Sequence, residues 1–116
     1  MGLKDEFWKA RDWVRDVLDF NQVNGGASVF ETTIRALAGL LSAYDLSGDK
    51  VFLDKSDDLG MRLMRAFYSK SGIPYGEIEL FDGGRSYNTG WHSNVAVLSE
   101  VGKSLCILEH IKRASL

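Results

Sequence analysis

Apolar residues recur at Leu3, Phe7, Ala10, Val14 and Val17/Leu18, in alternating steps of four and three that mark one buried stripe of a helix. The spacing predicts a helix over about 3–19, and the polar run from Asn21 to Gly26 ends it. Trp8 and Trp13 fall off the stripe, so this helix is expected to touch more than one neighbour. With Phe30, Tyr44, Phe52 and Phe67 they recur at helical positions, and all six are expected in the core.

Ser28-Val29-Phe30-Glu31 has the form of a capping box, in which serine caps a backbone N–H of the next turn and glutamate reaches back to the serine N–H. A second helix follows, carrying Phe30, Ile34, Leu37, Leu41 and Tyr44, with Ala36, Ala38, Gly39 and Ala43 as small contact surfaces, until Ser47-Gly48-Asp49 stops it. Asp49 can cap a third helix running to about Phe67, with Phe52, Leu59, Leu63 and Phe67 inward and Lys50, Lys55, Asp57 and Asp58 toward water. Beyond Ser71-Gly72-Ile73-Pro74-Tyr75, the run Gly76-Glu77-Ile78-Glu79-Leu80 alternates as a short strand does, and Asp82-Gly83-Gly84 signals a turn. Residues 73–90 thus form an irregular, hairpin-like excursion, long enough to be a functional loop, in or beside which Tyr75, Tyr87 and Trp91 are candidates for ligand contact. A fourth helix is predicted from Ser93/Asn94, with Val95, Leu98, Val101, Leu105, Leu108 and Ile111 at helical spacing. The pattern describes an all-α chain of two helical hairpins joined by that loop.

Composition narrows the function classes. At 116 residues there is room for one domain at most. With 14 Lys+Arg against 16 Asp+Glu, there is no basic excess to bind nucleic acid or an anionic membrane surface. The lone Cys106 excludes an internal disulfide, and no stretch approaches the ~18 apolar residues of a membrane span. The acidic, amphipathic start is unlike a signal peptide, so neither a targeting signal nor a membrane anchor is read in this chain.

Candidate chemistry rests on few residues. Glu31 and Arg35, four apart, share a helix face, and spacing alone reads them as a capping-box glutamate in an ion pair. Glu100, among Val97, Leu98 and Val101, reads as a solvated carboxylate beside a buried stripe. Facing a common pocket, the two carboxylates could position a substrate and supply a general acid. His92 and His110 are too far apart for a local metal motif, and neither a P-loop nor a nucleophile elbow is present.

The run from Val29 to Tyr44, VFETTIRALAGLLSAY, followed by Leu46-Ser47-Gly48-Asp49, resembles the signature of the class I α-1,2-mannosidases, glycoside hydrolase family 47. The likeness continues through Phe52-Leu53, Asp58-Leu59-Gly60, Arg62-Leu63-Met64, Ala66-Phe67, Gly72-Ile73-Pro74-Tyr75 and Ser99-Glu100-Val101-Gly102. It implies part of an (α/α)7 barrel over residues 1–102, with 103–116 a divergent C-terminal tail. It further implies calcium-dependent inverting hydrolysis of α-1,2-linked mannose on high-mannose N-glycans in the endoplasmic reticulum or Golgi lumen. By resemblance Glu31 matches the family's general acid, Arg35 a substrate-binding arginine, and Glu100 a carboxylate on the glycan-binding wall. The resemblance places the calcium-binding threonine and the remaining acid/base carboxylates in segments with no counterpart here, so the chain is expected to be inactive alone and prone to self-association. Two alternatives are a mannosidase-like lectin of glycoprotein quality control and a small helical interaction module.

Overall fold

The computed structural model describes residues 2–88 and Gly102. Helix α1 covers Lys4–Asp16, and a 3-10 turn, Phe20–Gln22, leads to strand β1, Gly26–Ser28. A single helical rod follows in three parts: α2 (Val29–Glu31), a π-helical stretch (Thr32–Leu37) and α3 (Ala38–Ser47). It ends where Gly48 takes up φ 70° and donates its N–H to the Tyr44 carbonyl at 2.7 Å, a left-handed cap that suits glycine. Asp49 then caps α4, Lys50–Met64, its carboxylate accepting the Val51 N–H, and a 3-10 turn at Arg65–Phe67 closes this helix.

Strands β2 (Glu77–Glu79) and β3 (Ser86–Tyr87) form the hairpin expected within 73–90. The all-α expectation needs one correction: β1 pairs with β2 in an antiparallel three-stranded sheet of order β1-β2-β3. The segment before Ser28 was legible only as a helix break, because a three-residue strand of Gly, Ala and Ser carries no periodic signal and forms only when β2 is there to pair with it. Ile78 and Ala27 face inward, and Ile78 is fully buried. The core gathers Phe20, Val29, Leu37, Leu59, Leu63, Ala66, Ile78 and Leu80 between the rod, α4 and the inner sheet face.

Two arginines at the end of α4 fasten the hairpin to the helices. Arg62 Nη1 donates to the Leu80 carbonyl (2.7 Å) and to Asn21 Oδ1 (2.8 Å), while its Nε binds Asp58 at 2.8 Å. Arg65 donates to the carbonyls of Glu79, Leu80 and Phe81. Asn21 Oδ1 also accepts the Asp82 N–H, so one amide oxygen joins the loop after α1, the end of α4 and the hairpin turn. The guanidinium forks thus bind the carbonyls at the end of β2 and in the turn that follows.

Helix α1 is held more lightly. Phe7 meets Phe52 with ring centroids 5.8 Å apart, and Arg11 Nε binds Asp49 at 2.7 Å. Phe7, Val14 and Leu18 are half-buried as the stripe requires, whereas Leu3, Ala10 and Val17 are exposed. Trp8 and Trp13, 52% and 53% exposed, are not core residues among the described contacts; helical spacing cannot tell a face that has a neighbour from one that has none. Of the other four aromatics expected in the core, Phe52 is buried and Phe30, Tyr44 and Phe67 are half-buried. Lys55, expected in water, lies along the protein and donates Nζ to the Leu18 carbonyl. Apart from Gly102, the predicted fourth helix, with Glu100, falls outside the described residues, as do Trp91, His92, Cys106 and His110.

Asp49 carries both the α4 cap and the α1 ion pair. Its carboxyl is held below the ordinary carboxylate range, first by the Arg11 guanidinium and then by the Val51 N–H. The unfolded value is about 3.9, so this stabilisation is complete above it and is lost as pH falls through the lower folded value. The urea midpoint of the wild type should exceed that of Asp49→Asn by a constant margin from about pH 8 to about pH 5, closing on further acidification. A margin indifferent to pH down to unfolding would remove the ion pair from the account.

Candidate functional site

Glu31 sits where the sheet turns into the rod, fixed by one bond from a distant strand approach and one from its own cap. The Val29 N–H donates to the Gly76 carbonyl at 2.9 Å, anchoring the first helical residue to the approach to β2. Ser28, in extended conformation, accepts the Glu31 N–H on Oγ at 3.2 Å. The other half of the expected capping box is not used, because the Glu31 carboxylate turns onto the Arg35 guanidinium. Ser28 is engaged in the β1–β2 ladder, opposite Glu77, which leaves glutamate free to take a charged partner one turn on.

Between them the backbone is π-helical. The Ala38 N–H reaches the Thr33 carbonyl, five residues back, as well as the Arg35 carbonyl, and buried Thr33 returns its Oγ1 hydroxyl to the Val29 carbonyl at 2.6 Å. Single π turns inside α-helices are frequent at functional sites, and sequence periodicity offers no sign of this one. Glu31 and Arg35 remain open to solvent, with side chains 48% and 76% exposed, and the carboxylate raises the guanidinium pKa above its ordinary value. The structure thus presents an acid and a cation together on the outside of the rod, at the sheet-side end.

Other carboxylates lie nearby in the sheet. Glu79 accepts the Arg85 N–H at 3.0 Å and pairs with its guanidinium, which together hold it below the ordinary carboxylate range, the backbone bond contributing most. That is a turn-stabilising arrangement. Glu100 cannot be placed against Glu31, since it lies outside the described residues. An apolar groove of about 330 Å³, lined by Val14, Leu18, Phe20, Leu40 and Phe52 with small residues of the rod, includes neither Glu31 nor Arg35. Among the described residues no three His, Cys, Asp or Glu side chains gather as a metal site, and no step is routed through the calcium implied by resemblance.

The family model for glycosyl hydrolase family 47 matches residues 1–111. The chain belongs to that family. It is similar to a mannosyl-oligosaccharide 1,2-alpha-mannosidase of Arabidopsis thaliana, 53% identical over 91 residues, which are 78% of this chain and 16% of the relative. An endoplasmic reticulum mannosyl-oligosaccharide 1,2-alpha-mannosidase of Rattus norvegicus is 50% identical over 84% of this chain and 14% of its own length. A mannosyl-oligosaccharide alpha-1,2-mannosidase IA of Spodoptera frugiperda is 45% identical over 88% of the chain and 15% of its own length. The chain therefore spans about one-seventh of the relatives it matches, and those relatives are glycosidases.

The capping and pairing roles are separable. Ser28→Ala should cost about 1 kcal/mol of stability by leaving the Glu31 N–H without its cap. Glu31→Gln should leave the thermal midpoint essentially unchanged, because an exposed ion pair adds little. A large loss of stability in Glu31→Gln would make the glutamate a structural residue.

Proposed function

We propose that the chain is part of the catalytic domain of an α-1,2-mannosidase acting on mannosyl-oligosaccharides, with residues 1–102 contributing helices to an (α/α)7 barrel and 103–116 forming a divergent tail. The observation that carries this reading is the pairing of Glu31 with Arg35 at the capped start of the rod, inside a family match that covers residues 1–111. Backbone bonds to Gly76 and Ser28 fix the root of the glutamate, while its carboxylate stays open to solvent and substrate.

In this reading Glu31 is the general acid that delivers a proton, through a water, to the glycosidic oxygen as the bond to the leaving sugar breaks. Arg35, cationic throughout, binds substrate hydroxyls and gives up its bond to Glu31 when the substrate enters. Inversion needs a second carboxylate ~6.5–9.5 Å away to activate water on the opposite face of the sugar. That base is assigned to the part of the enzyme beyond the described residues, and Glu100 to the glycan-binding wall. In this reading calcium is a requirement of the whole enzyme and the endoplasmic reticulum or Golgi lumen its compartment, the endoplasmic reticulum being the one that two of the relatives carry in their names. The chain by itself is expected to release no mannose.

The test is a chimera in which the matching residues of this chain replace the aligned segment of the Arabidopsis thaliana relative. It should release mannose from an α-1,2-linked oligosaccharide, and Glu31→Gln within it should lower the rate at least about 100-fold. Full activity of that variant would overturn the assignment of the acid.

A specific observation favours a second property, self-association. Leu3, Trp8, Trp13 and Val17 stand exposed along α1, apolar surface that a lone domain rarely leaves open. Sedimentation should show an average mass that rises with concentration; a single monomeric species throughout would exclude this.

A further inference from the structure

Strand alternation buries Ile78 and therefore turns Glu77 and Glu79 to the outer face of the sheet, where Glu77 stands opposite Ser28 on one side and Tyr87 on the other. Tyr87 does not stand upright there. A Cβ placed on Gly26 of β1 would lie 2.0 Å from the Tyr87 hydroxyl oxygen and 3.0 Å from its Cζ, so the phenol crosses β2 and ends in the notch left by glycine. The same Cβ would lie 2.7 Å from Glu77 Oε2, so hydroxyl and carboxylate converge on one point of the sheet. The Gly76 N–H donates to Asn88 Oδ1 at 2.7 Å, which fixes the backbone just beyond Tyr87. This surface adjoins the backbone of Glu31, because Ser28, the neighbour of Glu77 across the ladder, is also the residue whose Oγ holds the Glu31 N–H.

A half-buried aromatic ring laid along a sheet offers a flat apolar face, and polar oxygens at its end supply direction. That combination suits the C–H face and hydroxyls of a neutral hexose. We infer that the outer sheet face, with Tyr87 laid over the Gly26 notch and Glu77 at its end, is a subsite for a neutral hexose unit of the oligosaccharide next to the one processed at Glu31. The inference rests on the glycosidase reading and deepens it, assigning to Tyr87 a substrate-binding role and to Gly26 the positioning of the ring.

The experiment titrates the 116-residue chain with α-1,2-mannobiose at millimolar concentrations and follows backbone amide shifts by NMR. The expected result is shifts concentrated at residues 26–28, 77–79 and 86–88, with Kd weakened at least about fivefold by Tyr87→Leu, which keeps a large apolar residue in β3 but removes the ring. Gly26→Ala, which keeps the tyrosine but fills its notch, should weaken binding similarly, and Tyr87→Phe should stay within about twofold of wild type. Unchanged affinity in both Tyr87→Leu and Gly26→Ala, or the absence of sheet shifts with every sugar, overturns the subsite. Equal sheet shifts with maltose and mannobiose support a hexose subsite while counting against the mannosidase reading, so the two ideas fail separately.

Discussion

The constraint on which the arrangement depends is the need of the rod's N-terminus for hydrogen-bond acceptors. The first N–H groups of any helix have no partner within it. Here the Val29 N–H goes to the Gly76 carbonyl and the Glu31 N–H to Ser28 Oγ, so the helix begins as an extension of the sheet. Detaching β1 from β2 would strip the helix start of an acceptor, the core of Val29 and Ile78, and Glu31 of its fixed root, all at once. The arginines of α4 complete the frame from the other side by holding the hairpin carbonyls. Structure and proposed chemistry therefore share one joint.

That joint explains how an exposed carboxylate can be well positioned. Loose surface glutamates sample many rotamers, and an exposed ion pair constrains them little. Glu31 is fixed instead at its backbone, by a cap on its own N–H and by the π turn that follows, while its carboxylate pairs with Arg35. The outer sheet face adjoins its backbone through the Ser28–Glu77 pair, with Tyr87 next across the ladder.

Much of this was legible along the chain. The caps at Ser28 and Asp49, the stop at Gly48, the buried stripe of α4 and the 77–80 alternation are all local signals, and each appears in the structure. Glu31 and Arg35 were singled out by spacing and by family resemblance, and they do pair. Less legible were the features whose cause is distant in sequence. Gly26-Ala27-Ser28 becomes a strand only because β2 arrives some fifty residues later, and the exposure of Trp8 and Trp13 reflects which neighbours are present, a fact no periodicity encodes. The π turn also escaped, because a single added residue per turn shifts a hydrophobic pattern too little to be read.

The amino-acid sequence alone determined the helical stripes, the caps that start and stop them, the family and the spacing that pairs Glu31 with Arg35, since these depend on residues within a few positions of one another or on a long ordered motif. The tertiary structure decided the rest: that the glutamate prefers Arg35 to its own cap, that Asn21 ties three segments together, and that a tyrosine lies down over a glycine two strands away. The physical reason is range. Capping and amphipathicity act over one or two turns, whereas a notch, a ladder and a carbonyl clamp exist only after strands far apart in the chain have been brought within hydrogen-bond reach.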